Sequence, residues 1–123
     1  MSTLIEEVWD DAFTHFHTTM DTGTGALSLT VDPNGPFILD EVRVHLDGAV
    51  VEVENLTITL DADEGAEHDA QLCDPVAMAT KTDHREKFTE GPHFDNGDKI
   101  VVAFANTDGN TWGVTVKLRK KPN

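Results

Sequence analysis

Cysteine, cations and long apolar runs are all scarce in this chain of 123 residues. Cys73 stands alone, which excludes an intrachain disulfide and a thiolate metal cluster. A single small thiol of this kind reads as an inert apolar residue. No apolar stretch approaches the roughly 20 residues of a membrane helix. Met1 to Asp11 hold no Lys or Arg and quickly become acidic, unlike the basic start of a secretory signal. A soluble product made in the cytoplasm is expected. Catalytic signatures are missing too. There is no G-x-S-x-G, no P-loop and no G-x-G-x-x-G. Thr22-Gly23-Thr24-Gly25 is a loop with no Lys behind it to hold a phosphate. No enzyme is expected, and no cofactor is implied. Only 9 Lys and Arg face 23 Asp and Glu, for a formal charge of −14. Such a surface repels nucleic acid and anionic membrane, because phosphate binding needs cations that displace counterions. It favours solubility or a basic partner. Lys117, Arg119, Lys120 and Lys121 crowd the C-terminus, so the remainder is more acidic still.

What the chain has is short periodic apolar runs. The length suits one domain with an ordinary core. Leu27, Leu29 and Val31 alternate with Ser28 and Thr30, and Asp32-Pro33-Asn34-Gly35 follows as a turn. In Phe37–Leu46, Val42, Val44 and Leu46 face one way and Glu41, Arg43 and His45 the other. Leu56, Ile58 and Leu60 alternate with Thr57 and Thr59. Ile100 to Ala105 is apolar on both faces, the pattern of a central strand or of one covered by a partner. Asp108-Gly109 is a hairpin signal, and Trp112, Val114, Val116 and Leu118 alternate after it, which predicts a terminal hairpin. Residues 73–91 read as a long loop with a short strand near Arg85 to Thr89. About eight strands at even spacing imply an all-β fold, an antiparallel β-sandwich of jelly-roll type over residues 21–123. Residues 1–20 differ. Thr3 and Glu6 form a capping-box pattern, and Leu4, Ile5, Val8 and Trp9 fall at helical spacing. This predicts a short amphipathic helix or an extended arm that docks its apolar side on the domain or on a neighbour, since so short a helix is unstable alone.

Candidate chemistry is thin. His15 and His17 stand two apart, so on a strand both face one way, a spacing that suits a transition metal in a cupin-like enzyme. No third ligand can be named, and two polar residues on a solvated strand are the favoured reading. The acidic stretch Asp61, Asp63, Glu64, Glu67 and Asp69 invites calcium, but its spacing does not match an EF-hand, and a solvated loop is favoured. Carboxylate pairs are too abundant for any one to mark a general acid and base. An exposed Trp112 or Phe94 would give a sugar-stacking platform, the mark of a carbohydrate- or receptor-binding module.

The runs Phe37–Leu46, Asn55–Asp61, Gly97–Asn106 and Thr111–Val116 together resemble small β-sandwich virion proteins of tailed bacteriophages. The resemblance covers residues 37–119. It implies a structural protein of the virion, a head decoration or cement protein on the capsid surface, made in the host cytoplasm. It implies a symmetric homo-oligomer, a trimer by preference, bound to the major capsid protein, with no nucleic acid or membrane partner. It implies no catalytic residue. The physical reading names the contacts: Leu4, Ile5, Val8 and Trp9 on the arm, Val101 on the doubly apolar strand, and a basic tail of Lys117, Arg119, Lys120 and Lys121 seated on the acidic body of another copy.

Overall fold

The computed structural model describes residues 3–9, 15–88 and 93–120. The strands are β1 (Leu4–Trp9), β2 (His15–Gly23), β3 (Leu27–Val31), β4 (Phe37–Leu46), β5 (Asn55–Asp61), β6 (Ala70–Gln71), β7 (Val76–Ala77), β8 (Asp83–Lys87), β9 (His93–Phe94), β10 (Lys99–Phe104) and β11 (Trp112–Lys120). A single 3-10 turn, Ala66–His68, is the one helical element among the described residues. One sheet runs β1-β2-β11-β4-β8, with β9 also on β4; the other runs β3-β10-β5-β6, with β7 also on β5. All the strand pairs are antiparallel.

The eight strands β2, β3, β4, β5, β6, β8, β10 and β11 make a jelly roll, as the sequence predicts. The chain crosses between sheets at almost every connection, so neighbours in a sheet are remote in sequence. Period-two alternation drives this. In β3 the apolar residues are buried and the Ser and Thr exposed, and β11 alternates from Trp112 to Arg119. Each strand turns one row inward. Leu39, Val42, Val44, Leu46, Val114, Val116 and Leu118 from the first sheet meet Leu29, Leu56, Ile58, Ile100, Val102 and Phe104 from the second in one core.

One alternative is decided and one expectation corrected. Of the helix and the extended arm, residues 4–9 take the extended form, as a strand. β1 pairs with β2 over six residues, from Leu4 opposite Met20 to Trp9 opposite His15. Pairing gives the segment a full ladder of backbone bonds, which a helix too short to stand alone does not match. The strand β2 also crosses the expected boundary at residue 20 without a break. The correction concerns the C-terminal hairpin. β10 pairs with β3 and β5, whereas β11 pairs with β2 and β4. The Asp108-Gly109 turn is therefore an arch between sheets. Asn106 explains the path. It is buried, with a left-handed φ of 52°. Its amide nitrogen reaches the carbonyls of Thr24, Gly25 and Asn110, and its oxygen accepts the Asn110 N–H. Trp112 Nε1 also donates to Gly25 O at 2.8 Å. Two sheet-crossing loops are thus tied at one corner.

Two carboxylates brace the other loops. At one end Asp98 is buried and accepts the N–H groups of Asp63 and Asp95. Gly97 lies there with φ 94°, and a Cβ on it would stand 2.5 Å from the Asp63 side chain. At the opposite end Asp108 accepts the N–H of Val51 at 2.7 Å and of Glu52 at 3.4 Å.

Candidate functional site: the outer face of the first sheet

Register brings scattered cations together. On β11 the residues turned away from the core are Gly113, Thr115, Lys117 and Arg119. β4 places Arg43 opposite Thr115 and Glu41 opposite Lys117. β8 places Arg85 opposite Arg43 and Lys87 opposite Glu41. Five of the nine Lys and Arg in the chain, Arg43, Arg85, Lys87, Lys117 and Arg119, therefore share one face. Against them on β4 and β8 stand the carboxylates Asp40, Glu41 and Asp83.

Glu41 is the centre of that face. It is 5 % exposed although it points away from the core, because cationic side chains close over it. Arg85 Nε donates to Oε1, while Arg43 Nε and Lys117 Nζ lie 3.6 and 3.8 Å from Oε2. Burial pushes its carboxyl upward. The Arg85 hydrogen bond and the charges of Arg85, Arg43 and Lys117 outweigh burial and hold it below its ordinary 4.5. Next to it, a bulge in β4 frees Asp40 from the pairing, and its two oxygens take Arg119 Nε at 3.1 and 3.0 Å. Bulges re-aim side chains in this way. At the far end His45 Nδ1 and Asp83 Oδ1 lie 2.6 Å apart. That contact, with a hydrogen bond from Thr82, holds the Asp83 carboxyl below its usual range.

The face is hollow at one place. Gly113 has no side chain, and the space above it is open: a Cβ there would meet nothing within 4 Å. The hollow is about 620 Å³ and is lined by Met20, Asp21 and Thr115 together with Arg43, His45, Asp83, His84 and Arg85.

The second sheet turns out a different surface. Ser28 and Thr30, Val101 and Ala103, and Thr57 and Thr59 lie side by side on it. It is small-chained, with few charges. Val101, named from the sequence, sits half-buried between Thr30 and Thr59 in the middle of this face.

The other sequence candidates are placed as follows. Lys117, Arg119 and Lys120 are part of β11, a central strand, rather than a tail. Lys117 and Arg119 engage carboxylates of their own chain. Lys121 lies outside the described residues. Ile5 is 57 % exposed; the side chains of Leu4, Val8, Trp9 and His15 lie outside the described residues. His17 is buried, with Nε2 3.2 Å from Thr19 Oγ1. Among the described residues no three of His, Cys, Asp and Glu converge as metal ligands. The acidic stretch 61–69 spends its groups on turns, with Asp69 accepting the Ala62 N–H. Trp112 and Phe94 are 3 % and 8 % exposed, so neither offers a sugar platform. Cys73 packs partly buried against the core. Burial, with Glu86 and Asp74 nearby, pushes its thiol up. Sequence reasoning missed the basic face and the hollow. Their signal was present as cations two apart, Arg85 with Lys87 and Lys117 with Arg119, which a strand puts on one side.

No family model and no curated protein matches the chain. Among solved structures, infectious bursal disease virus of the Gx strain matches 99% of the chain at 11% identity and a TM-score of 0.45. The Gt strain matches 98% at 13% identity and a TM-score of 0.43. The chain spans about a third of the length of each of those chains, 32%. Neither is a tailed-phage decoration protein.

Proposed function

We propose that this chain is a virion structural protein, of the type that decorates and cements the head of a tailed bacteriophage. In this reading it sits on the capsid surface, contacts the major capsid protein and associates with copies of itself, a trimer being the expected form. The observation that carries the reading is the division of one rigid sandwich into unlike faces. One sheet turns out a face that gathers five of the nine cations of an acidic chain, and the other turns out a face of small side chains with few charges. Charge set out in patches steers and orients protein contacts, and a jelly roll holds such patches rigidly. Fold alone does not fix function, so the surface chemistry is what favours assembly. Several polar and aromatic groups serve the fold itself: Glu41 under three cations, Asp98 and Asn106 in loop corners, and Trp112 in the core.

The test is binding to shells. Purified protein is incubated with expanded capsids of the source phage that lack it, sedimented, and imaged. Saturable binding at fixed symmetry positions is expected. A protein that stays strictly monomeric and leaves the capsids bare removes the proposal.

A further inference from the structure

Register lays out the face around Gly113 as a grid. One row reads Thr22, Gly113, His45 and Asp83 across β2, β11, β4 and β8. The next row reads Met20, Thr115, Arg43 and Arg85. Gly113 leaves one place in this grid empty, and a Cβ there would meet nothing within 4 Å. Neighbouring strands lie about 4.8 Å apart, so the backbones of Thr22 and His45 stand about 10 Å apart across the gap. That width admits one six-membered ring lying flat on the glycine backbone. The space above it, about 620 Å³, has the size of a small-molecule site. The side chains around it are anchored at one end and free at the other. His45 Nδ1 lies 2.6 Å from Asp83 Oδ1, which leaves its Nε2 open. The other Asp83 oxygen accepts the Thr82 hydroxyl. Arg43 and Arg85 both turn Nε toward Glu41, so their terminal amino groups are left over. Among the described residues, no hydrogen bond uses those amino groups, His45 Nε2 or the Thr115 hydroxyl.

We propose that this hollow binds a neutral sugar, as one pyranose residue of a glycan. Charge selects the class. Asp21 and Asp83 balance Arg43 and Arg85 in the lining, so the site has no net charge to draw in an anion or a cation. The ligand it suits is neutral, flat and able both to donate and to accept hydrogen bonds. A pyranose has these properties. Its hydroxyl oxygens accept from the amino groups of Arg43 and Arg85. Its hydroxyl hydrogens donate to the Thr115 oxygen and to Nε2 of the neutral His45 ring, whose Nδ1 is committed to Asp83. One C–H face rests on Gly113 beside Met20. Anchoring by Asp83 and Glu41 holds the recognising groups in place before the sugar arrives, which lowers the entropy lost on binding. The rim is open, with the side chains of Arg43, Arg85 and His45 48%, 56% and 70% exposed. Water therefore competes for every bond, and a single sugar binds at roughly millimolar strength. This inference goes beyond the assembly reading and does not rest on it.

Amide shifts in the nuclear magnetic resonance spectrum of the labelled full chain test it. Glucose, galactose, mannose and N-acetylglucosamine are added one at a time at neutral pH, with sulfate and glycine as the anionic and zwitterionic probes. Saturable shifts are expected with at least one sugar, centred on Thr22, Arg43, His45, Gly113 and Thr115. Gly113→Leu should abolish them by filling the gap, and its first added carbon clashes with nothing in its own chain. His45→Ala and Thr115→Val should each weaken binding by about fivefold, the worth of one hydrogen bond. Melting temperature, read on every variant, keeps a folding defect separate. Absence of saturable shifts with all four sugars, shifts that persist in a folded Gly113→Leu protein, or tighter binding of sulfate or glycine than of any sugar overturns the inference. Sugar binding by a protein that leaves capsids bare upholds it and removes the assembly reading alone.

Discussion

Removing the Glu41 charge is the sharpest probe of the basic face. Glu41→Gln keeps the side-chain volume and leaves Arg43, Arg85 and Lys117 facing one another across an amide. At the 3.6 and 3.8 Å separations to Arg43 and Lys117, each attraction is about 4 kcal/mol gross for an effective dielectric near 20. The cationic side chains are 48%, 56% and 45% exposed, so water takes up most of their charge once the carboxylate is gone. Desolvation of Glu41 itself offsets more of the gross figure. Breaking a fully buried pair costs about 3–5 kcal/mol and an exposed pair under about 1 kcal/mol. This site lies between, at about 2 kcal/mol, or a melting temperature lower by about 7 °C for a chain of this size. The pH dependence follows from the lowered carboxyl. A depressed acid contributes its full stability above its unfolded value, and that contribution is lost as pH falls through the folded value. Wild type and Glu41→Gln should therefore differ by a constant amount from neutral pH down to about pH 5 and converge below that. Urea unfolding followed by circular dichroism across pH measures it. Equal stabilities at neutral pH, or a gap that persists in strong acid, would refute the reasoning.

Asn106→Ala strips the corner that ties the two sheet-crossing loops and leaves a left-handed backbone without the residue that tolerates it. A loss of about 3 kcal/mol is expected in the same unfolding assay. Cys73 should react with a thiol reagent at mildly alkaline pH at least about tenfold more slowly than a peptide thiol, because burial and its acidic neighbours disfavour the thiolate. Urea should abolish that difference.

Much of the fold is written in local patterns. The alternation in Leu27–Val31, Leu56–Leu60 and Trp112–Leu118 marks strands whose inner and outer rows the structure reproduces. Which strand pairs with which is not local. Asp108-Gly109 has the chemistry of a hairpin turn, but a jelly roll uses the same turn to change sheets. The side chains of Asn106 and Trp112, reaching residues some eighty positions earlier, separate the two uses. Leu4, Ile5, Val8 and Trp9 fit a helical stripe on paper. Pairing with β2 decides otherwise, since tertiary context overrides a short local preference. The basic face was half legible. Period two puts Arg85 with Lys87 and Lys117 with Arg119, but their union around Glu41 needs the order β11-β4-β8. The hollow depends on a single glycine whose strand position became meaningful only beside Met20 and Arg43.

The place of β11 has a consequence for how the molecule comes into being. It lies between β2 and β4 in the first sheet, yet it follows every other described strand. The ten other described strands therefore leave a ribosome before the one that joins β2 to β4. Until then the first sheet is split down its middle and its inner rows have no finished core to enter. Such long-range closure makes folding slow and late. A chain cut short before Trp112 has neither a joined first sheet nor the Lys117 and Arg119 that engage Glu41 and Asp40.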